Sequence, residues 1–193
     1  MRHLLLICEE YEKKFSIKFN AAMSTWLYFN KGKQPHACVP QFSIDGNLIN
    51  CASEYTHLGN IISANLDDIC EILSKRNSLC GKINNVLCYF RNRSPVVKLK
   101  LLRSYCSDFY GSVLWELAHP SVEDVCITWC KGLKRVWELP TRTHSGLVVP
   151  LCGLLPLRFE LACRCSRFIV KCLNSSNSIV RLLAGQDGIR CCR

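Results

Sequence analysis

Asp67-Asp68 is the one Asp-Asp pair of the chain, and paired carboxylates are what a site needs to hold divalent metal ions over a phosphate. The pair sits in Asn65-Leu-Asp-Asp-Ile-Cys, where an apolar helical pattern begins. Carboxylates at a helix start are favoured by the helix dipole and by capping, so the pattern assigns this pair to a helix terminus rather than to metal chemistry. The histidines, at 3, 36, 57, 119 and 144, show neither an HExxH spacing nor any other pairing, and no glycine-rich phosphate loop appears. Fifteen cysteines invite a metal or disulfide reading, but no CxxC pair exists and no secretory signal precedes them. Cys126 and Cys130 lie four apart on a helical pattern, where cysteine behaves as a small buried hydrophobe. Cys163, Cys165 and Cys172 could gather at a metal, yet the first two fall on different helix faces.

Cations offer a different chemistry. Lysine and arginine outnumber aspartate and glutamate by 25 to 15, a formal +10 that favours an anionic partner such as nucleic acid. Three groups stand on helical patterns: Lys98, Lys100 and Arg103; Lys131, Lys134 and Arg135; and Arg164, Arg167 and Lys171. Stripes of this kind follow a phosphate backbone without reading bases, although solvated helix faces are also commonly charged.

The elements that must position these groups can be read from periodicity. Leu4, Leu5, Cys8 and Tyr11 predict a short amphipathic helix over 3–14. Phe15, Ile17 and Phe19 alternate with polar residues, and Trp26-Leu-Tyr-Phe29 is β-prone, so strands are expected there. Lys31 to Pro35 reads as a loop, Phe42 to Ile49 as two strands about Asp45-Gly46, and Tyr55 to Ile62 as a further strand. A helix then runs through Leu66, Ile69, Leu73, Leu79, Ile83, Val86 and Phe90. Pro95 opens another, with Leu99, Leu102, Cys106 and Phe109 on one side. Ser121 is expected to cap a third, whose stripe is Val122, Val125, Trp129, Leu133 and Val136, ending at Pro140. Residues 140–155 read as a Pro/Gly-punctuated connector, and Pro156 opens a helix burying Leu161, Cys165, Phe168 and Cys172.

Several of these segments, taken in order, resemble the reverse transcriptases of non-LTR (LINE-type) retrotransposons. Cys8-Glu9-Glu10-Tyr11 and Phe19-Asn20-Ala-Ala-Met23-Ser24 resemble that family's Cys-Glu-x-Tyr and Phe-Asn-x-x-Lys-Ser elements, with Met23 where the family has lysine. Tyr55-Thr56-His57-Leu58-Gly59 resembles its Tyr-x-Tyr-Leu-Gly primer-grip hairpin. Phe109-Tyr110-Gly111-Ser-Val-Leu-Trp115 and Lys134-Arg135-Val-Trp137-Glu-Leu-Pro140-Thr-Arg-Thr-His144 are similar to its Leu-Tyr-Gly-x-x-x-Trp and Arg-x-x-Trp-x-Leu-Pro-x-x-Thr-His stretches. Gly59 alone reads as a bulge at a strand end; following Phe19-Asn20 and Asp45-Gly46 in order, it is far more specific.

The resemblance implies an RNA-directed DNA polymerase whose Mg2+-holding carboxylates come from an early strand and an Asp-Asp hairpin, both expected upstream of Met1. The fold class expected is therefore α+β. Residues 1–64 would form a small antiparallel sheet, the palm remnant, 65–139 a helical thumb, and 140–193 a helical C-terminal extension. No catalysis is expected from this chain alone, and no metal, cofactor, membrane or small-molecule substrate. Its expected activity is sequence-independent binding of an RNA/DNA duplex or RNA template through Tyr55, Leu58, Gly59, Lys98, Lys100, Arg103, Lys131, Lys134 and Arg135. The missing palm and fingers half is a further expected partner. An intracellular setting, nuclear or cytoplasmic and not secreted, accords with the thiols. The alternative is a helical interaction protein with no nucleic-acid role.

Overall fold

A computed structural model describes residues 1–29 and 40–187. The chain divides into two compact units, Met1–Asp68 and a second beginning at Ile69.

The first unit is a helix followed by short strands. Helix α1 (Arg2–Phe15) stops where Ser16 turns left-handed, at φ 55°. Residues 17–20 continue as irregular chain, and Phe15, Ile17 and Phe19 are exposed, so the strand expected there is absent. The glutamates of α1 explain why: Glu12 accepts a hydrogen bond from the Phe19 amide, and Glu9 accepts one from the Asp45 amide at 2.9 Å. These bonds hold irregular chain and a turn against α1 rather than a ladder. Asn20 then caps a 3-10 turn (Ala21–Met23), its side chain accepting from the Met23 amide.

The strands are β1 (Thr25–Leu27), β2 (Ser43–Ile44), β3 (Asn47–Leu48), β4 (Asn50–Ala52), β5 (Glu54–His57) and β6 (Asn60–Ser63). They form three two-stranded pieces instead of one antiparallel sheet. β2–β3 and β5–β6 are antiparallel hairpins, whereas β1 and β4 pair in parallel, Trp26 opposite Cys51. Each hairpin turns on two residues with positive φ, Asp45-Gly46 (49° and 74°) and Leu58-Gly59 (49° and 80°). That is the type I′ geometry whose twist matches the strands it joins. The stretch 55–62 is thus two strands and a turn, not one strand. The loop expected at Lys31–Pro35 lies outside the described residues.

The second unit is helical. Helix α2 (Ile69–Tyr89) is followed by α3 (Pro95–Leu101), which widens into a π-helical turn (Leu102–Cys106), and by a 3-10 turn (Ser112–Leu114). Then come α4 (Pro120–Val136), α5 (Ser145–Leu151), α6 (Leu157–Leu173) and α7 (Ser178–Asp187). Leu66 lies before α2, exposed at φ 58°. The core joins Ile72, Leu79, Ile83 and Val86 of α2 to the whole expected α4 stripe, Val122, Val125, Trp129, Leu133 and Val136. Gly132 lets α2 cross close to α4: a Cβ there would stand 2.7 Å from the Ile83 Cδ1, so the buried Ile83 side chain would have to shift.

Leu102 and Cys106 bring the π turn into this core, and Leu157 and Leu161 bring α6. The stretch 140–155, expected as a connector, contains α5, whose Val148 and Val149 are buried in the same core. Two helix starts depart from expectation in a shared way. His119, not Ser121, caps α4, its Nδ1 accepting from the Ser121 amide at 3.2 Å. His144 caps α5 alike, accepting from Gly146 at 3.2 Å. Both roles require Nδ1 to be unprotonated.

Candidate functional site

The residues nominated from the sequence fall on separate parts of these two units. On the hairpin β5–β6, Tyr55 is 39% exposed and Leu58, at the tip, is 74% exposed. Leu58 occupies a left-handed backbone conformation that ordinarily falls to glycine or asparagine, at a cost of about 1–2 kcal/mol for an L-residue. A strained turn that holds a leucine out in solvent is the kind of local cost found at functional positions. Gly59 completes the turn at φ 80°, with nothing within 4 Å of where a Cβ would stand. Backbone conformation, rather than crowding, therefore selects glycine there.

The cations of α3 and the π turn separate. Lys100 and Arg103 are exposed, but Lys98 is only 7% exposed. Lys98 is thus corrected from a surface contact to a residue whose stem packs inward. On α4, Lys131 is exposed, Lys134 donates to the Thr141 carbonyl at 3.2 Å, and Arg135 donates to the Asn84 side chain of α2 at 2.6 Å. The helix itself explains part of that stripe: Glu123 lies in the first turn of α4 and Lys134 and Arg135 in the last, which complements its dipole. Arg164 of α6 is held inward too, donating to the Ser107 carbonyl at 2.9 Å with its guanidinium 5.9 Å from the Phe109 ring centre. Arg167 and Lys171 remain exposed.

The signal missed by reading stripes helix by helix is the sign of charge along the chain. Between Glu71 and Asp108 there is no carboxylate residue, while Lys75, Arg76, Lys82, Arg91, Arg93, Lys98, Lys100 and Arg103 all lie there. Lys75 is tied to Glu71 at 3.3 Å, but Arg91, Arg93, Lys100 and Arg103 are exposed. The run covers α2 after Glu71, the loop that follows, α3 and the π turn, so one continuous stretch of sequence in the helical unit carries a single sign of charge. Such a surface repels itself unless an anion screens it.

The residues do not fit a divalent metal site. Asp67 and Asp68 stand directly before α2 and not in a hairpin, and among the described residues no three His, Cys, Asp or Glu side chains gather as ligands. The hairpin turns carry one carboxylate, Asp45. Met23 is an exposed apolar side chain at the end of the 3-10 turn that Asn20 caps.

Cys8, Cys51, Cys80, Cys88, Cys106, Cys126, Cys130, Cys152, Cys163 and Cys172 are thiols outside any disulfide. Burial pushes Cys106 up to about 11, against a smaller opposing pull from Lys82, and pushes Cys126 up to about 11 as well. Burial also raises Cys130 and Cys152. A neutral buried thiol is a poor nucleophile. Iodoacetamide at about pH 8 is therefore expected to label exposed Cys51, Cys80, Cys88 and Cys163 and to spare Cys106 and Cys126, as read by peptide mass spectrometry. Because Cys106 ionises near 9.0 when unfolded and near 11 when folded, its contribution to stability is intact below 9 and is lost as pH rises through that window.

No described helix is long and apolar enough to cross a membrane. No family model, curated protein or solved structure matches the chain.

Proposed function

We propose that this chain is a nucleic-acid-binding relative of non-LTR retrotransposon reverse transcriptases, gripping a phosphate backbone without regard to sequence and without catalysing polymerisation by itself. The observation that carries the reading is the acid-free basic run from α2 to the π turn, with Arg91, Arg93, Lys100 and Arg103 exposed on it. Cations so placed neutralise phosphates and release their counterions, which supplies affinity without base contacts. The exposed, strained Leu58-Gly59 turn supports the same reading, since a glycine at a hairpin tip lets the backbone come close to a strand of nucleic acid. Lys131 and Arg135 add charge on α4, with Arg135 already engaged by Asn84.

A salt titration of binding to an RNA/DNA duplex tests this proposal. Affinity falling steeply as salt rises is the expected result, and an affinity independent of salt would refute phosphate contact. The competing reading, a helical interaction protein, draws support from exposed Ile179, Leu182 and Leu183 on α7 and from strand β5, whose residues are all exposed. It predicts self-association or binding of another protein that added salt leaves intact.

A further inference from the structure

We propose that Tyr105 is a stacking platform for an unpaired base, so that the basic run takes single-stranded nucleic acid as well as duplex. The inference rests on the nucleic-acid reading above and names a substrate class for it. Its starting point is the π-helical turn. Leu102 and Cys106 are 0% and 1% exposed, whereas Tyr105 between them is 50% exposed. Wider turns of this kind recur at functional sites, and here the wide turn keeps both core residues inward while a large aromatic ring is left in solvent.

The ring is not simply an uncovered core residue. The Lys82 ammonium of α2 stands 5.6 Å from its centre, over one face. An exposed aromatic ring with a cation on one face has the parts that recognise an unpaired nucleotide: a π surface for the base and a positive charge for the adjoining phosphate. Lys100 and Arg103, both exposed, precede Tyr105 on the same stretch of chain, and the nearest acidic residue after it in sequence is Asp108. A protein surface that docks on another protein would not need this run free of carboxylates. A strand of nucleic acid does, because every phosphate is repelled by them.

The test compares a fluorescein-labelled oligo-dT, a blunt duplex of equal length and an abasic oligonucleotide of equal length, by anisotropy at fixed low salt. Tyr105→Ala and Tyr105→Leu are expected to weaken oligo-dT binding by about 5- to 150-fold, the cost of losing one stacked base. Duplex and abasic binding should change by less than about twofold, since phosphate contacts are untouched. Tyr105→Phe and Tyr105→Trp, which keep an aromatic face, should bind oligo-dT as the wild type does. Equal losses on all three probes would mean that Tyr105 only supports the fold, and unchanged oligo-dT binding in Tyr105→Leu would also overturn the inference. Wild-type protein that binds duplex but not oligo-dT defeats this inference alone. Wild-type protein that binds none of the probes defeats the nucleic-acid reading with it.

Discussion

Trp115→Ala is expected to destabilise the helical unit by about 3–5 kcal/mol, the range for removing a large buried aromatic side chain. Trp115 is 2% exposed and meets Phe109 edge-on, with ring centres 6.5 Å apart. Its position is set by Gly111, whose φ of 88° starts the 3-10 turn that carries the tryptophan back over the core. Emptying that site leaves a cavity between the turn and its neighbours, because a packed interior relaxes only partly around a missing ring. Trp115→Phe should behave differently. The indole Nε1 is buried with no hydrogen-bond partner among the described residues, so phenylalanine gives up volume but also removes a polar group that is costly to bury. Urea denaturation followed by circular dichroism should place Trp115→Phe within about 1.5 kcal/mol of wild type and Trp115→Ala well below both. Similar midpoints for Trp115→Ala and wild type would mean that this turn is not packed as described.

Replacing Arg91, Arg93, Lys100 and Arg103 together with glutamine should remove most of the salt dependence of duplex binding. Each phosphate neutralised contributes about 0.9 to the slope of log affinity against log salt, so four contribute about 3.6. Between about 50 and 200 mM salt, those four contacts account for about a 150-fold fall in wild-type affinity that the variant no longer shows. All four side chains are exposed, so folding should be little affected. The matched comparison is Lys131→Gln, Lys134→Gln and Arg135→Gln. Its slope should change by less, because Lys134 and Arg135 are hydrogen-bonded within the fold to Thr141 and Asn84. Isothermal titration or anisotropy at stepped salt reads both slopes. If the four-residue variant kept the wild-type slope, the acid-free run would not be the contact surface.

The α4 stripe was legible residue for residue, because apolar side chains at helical spacing have one face on which to be buried and the helix's own hydrogen bonds are local. The Asp45-Gly46 turn was legible for a related reason: both residue types tolerate positive φ. Leu58-Gly59 was suggested only by the resemblance of Tyr55 to Gly59 to a hairpin, since leucine carries no turn signal and only its place in the fold holds it left-handed. The two histidine caps were hidden because cap preference points first to serine, and Ser121 stood where a cap was expected.

Lys98 shows the remaining limit. A helical wheel can say that it lies beside Leu99 and Leu102, but not which neighbouring element covers it. The same holds for the parallel pairing of β1 with β4, for the π turn that exposes Tyr105, and for the entry of Val148 and Val149 into the core. Composition and short-range pattern were enough to specify a mixed α+β chain with long helices and a positively charged surface, because helix periodicity and net charge depend on near neighbours in sequence. Which cations face solvent, which strands meet, and which aromatic ring is left bare were settled by packing between residues far apart in the chain. Contacts of that range leave no mark on a local pattern.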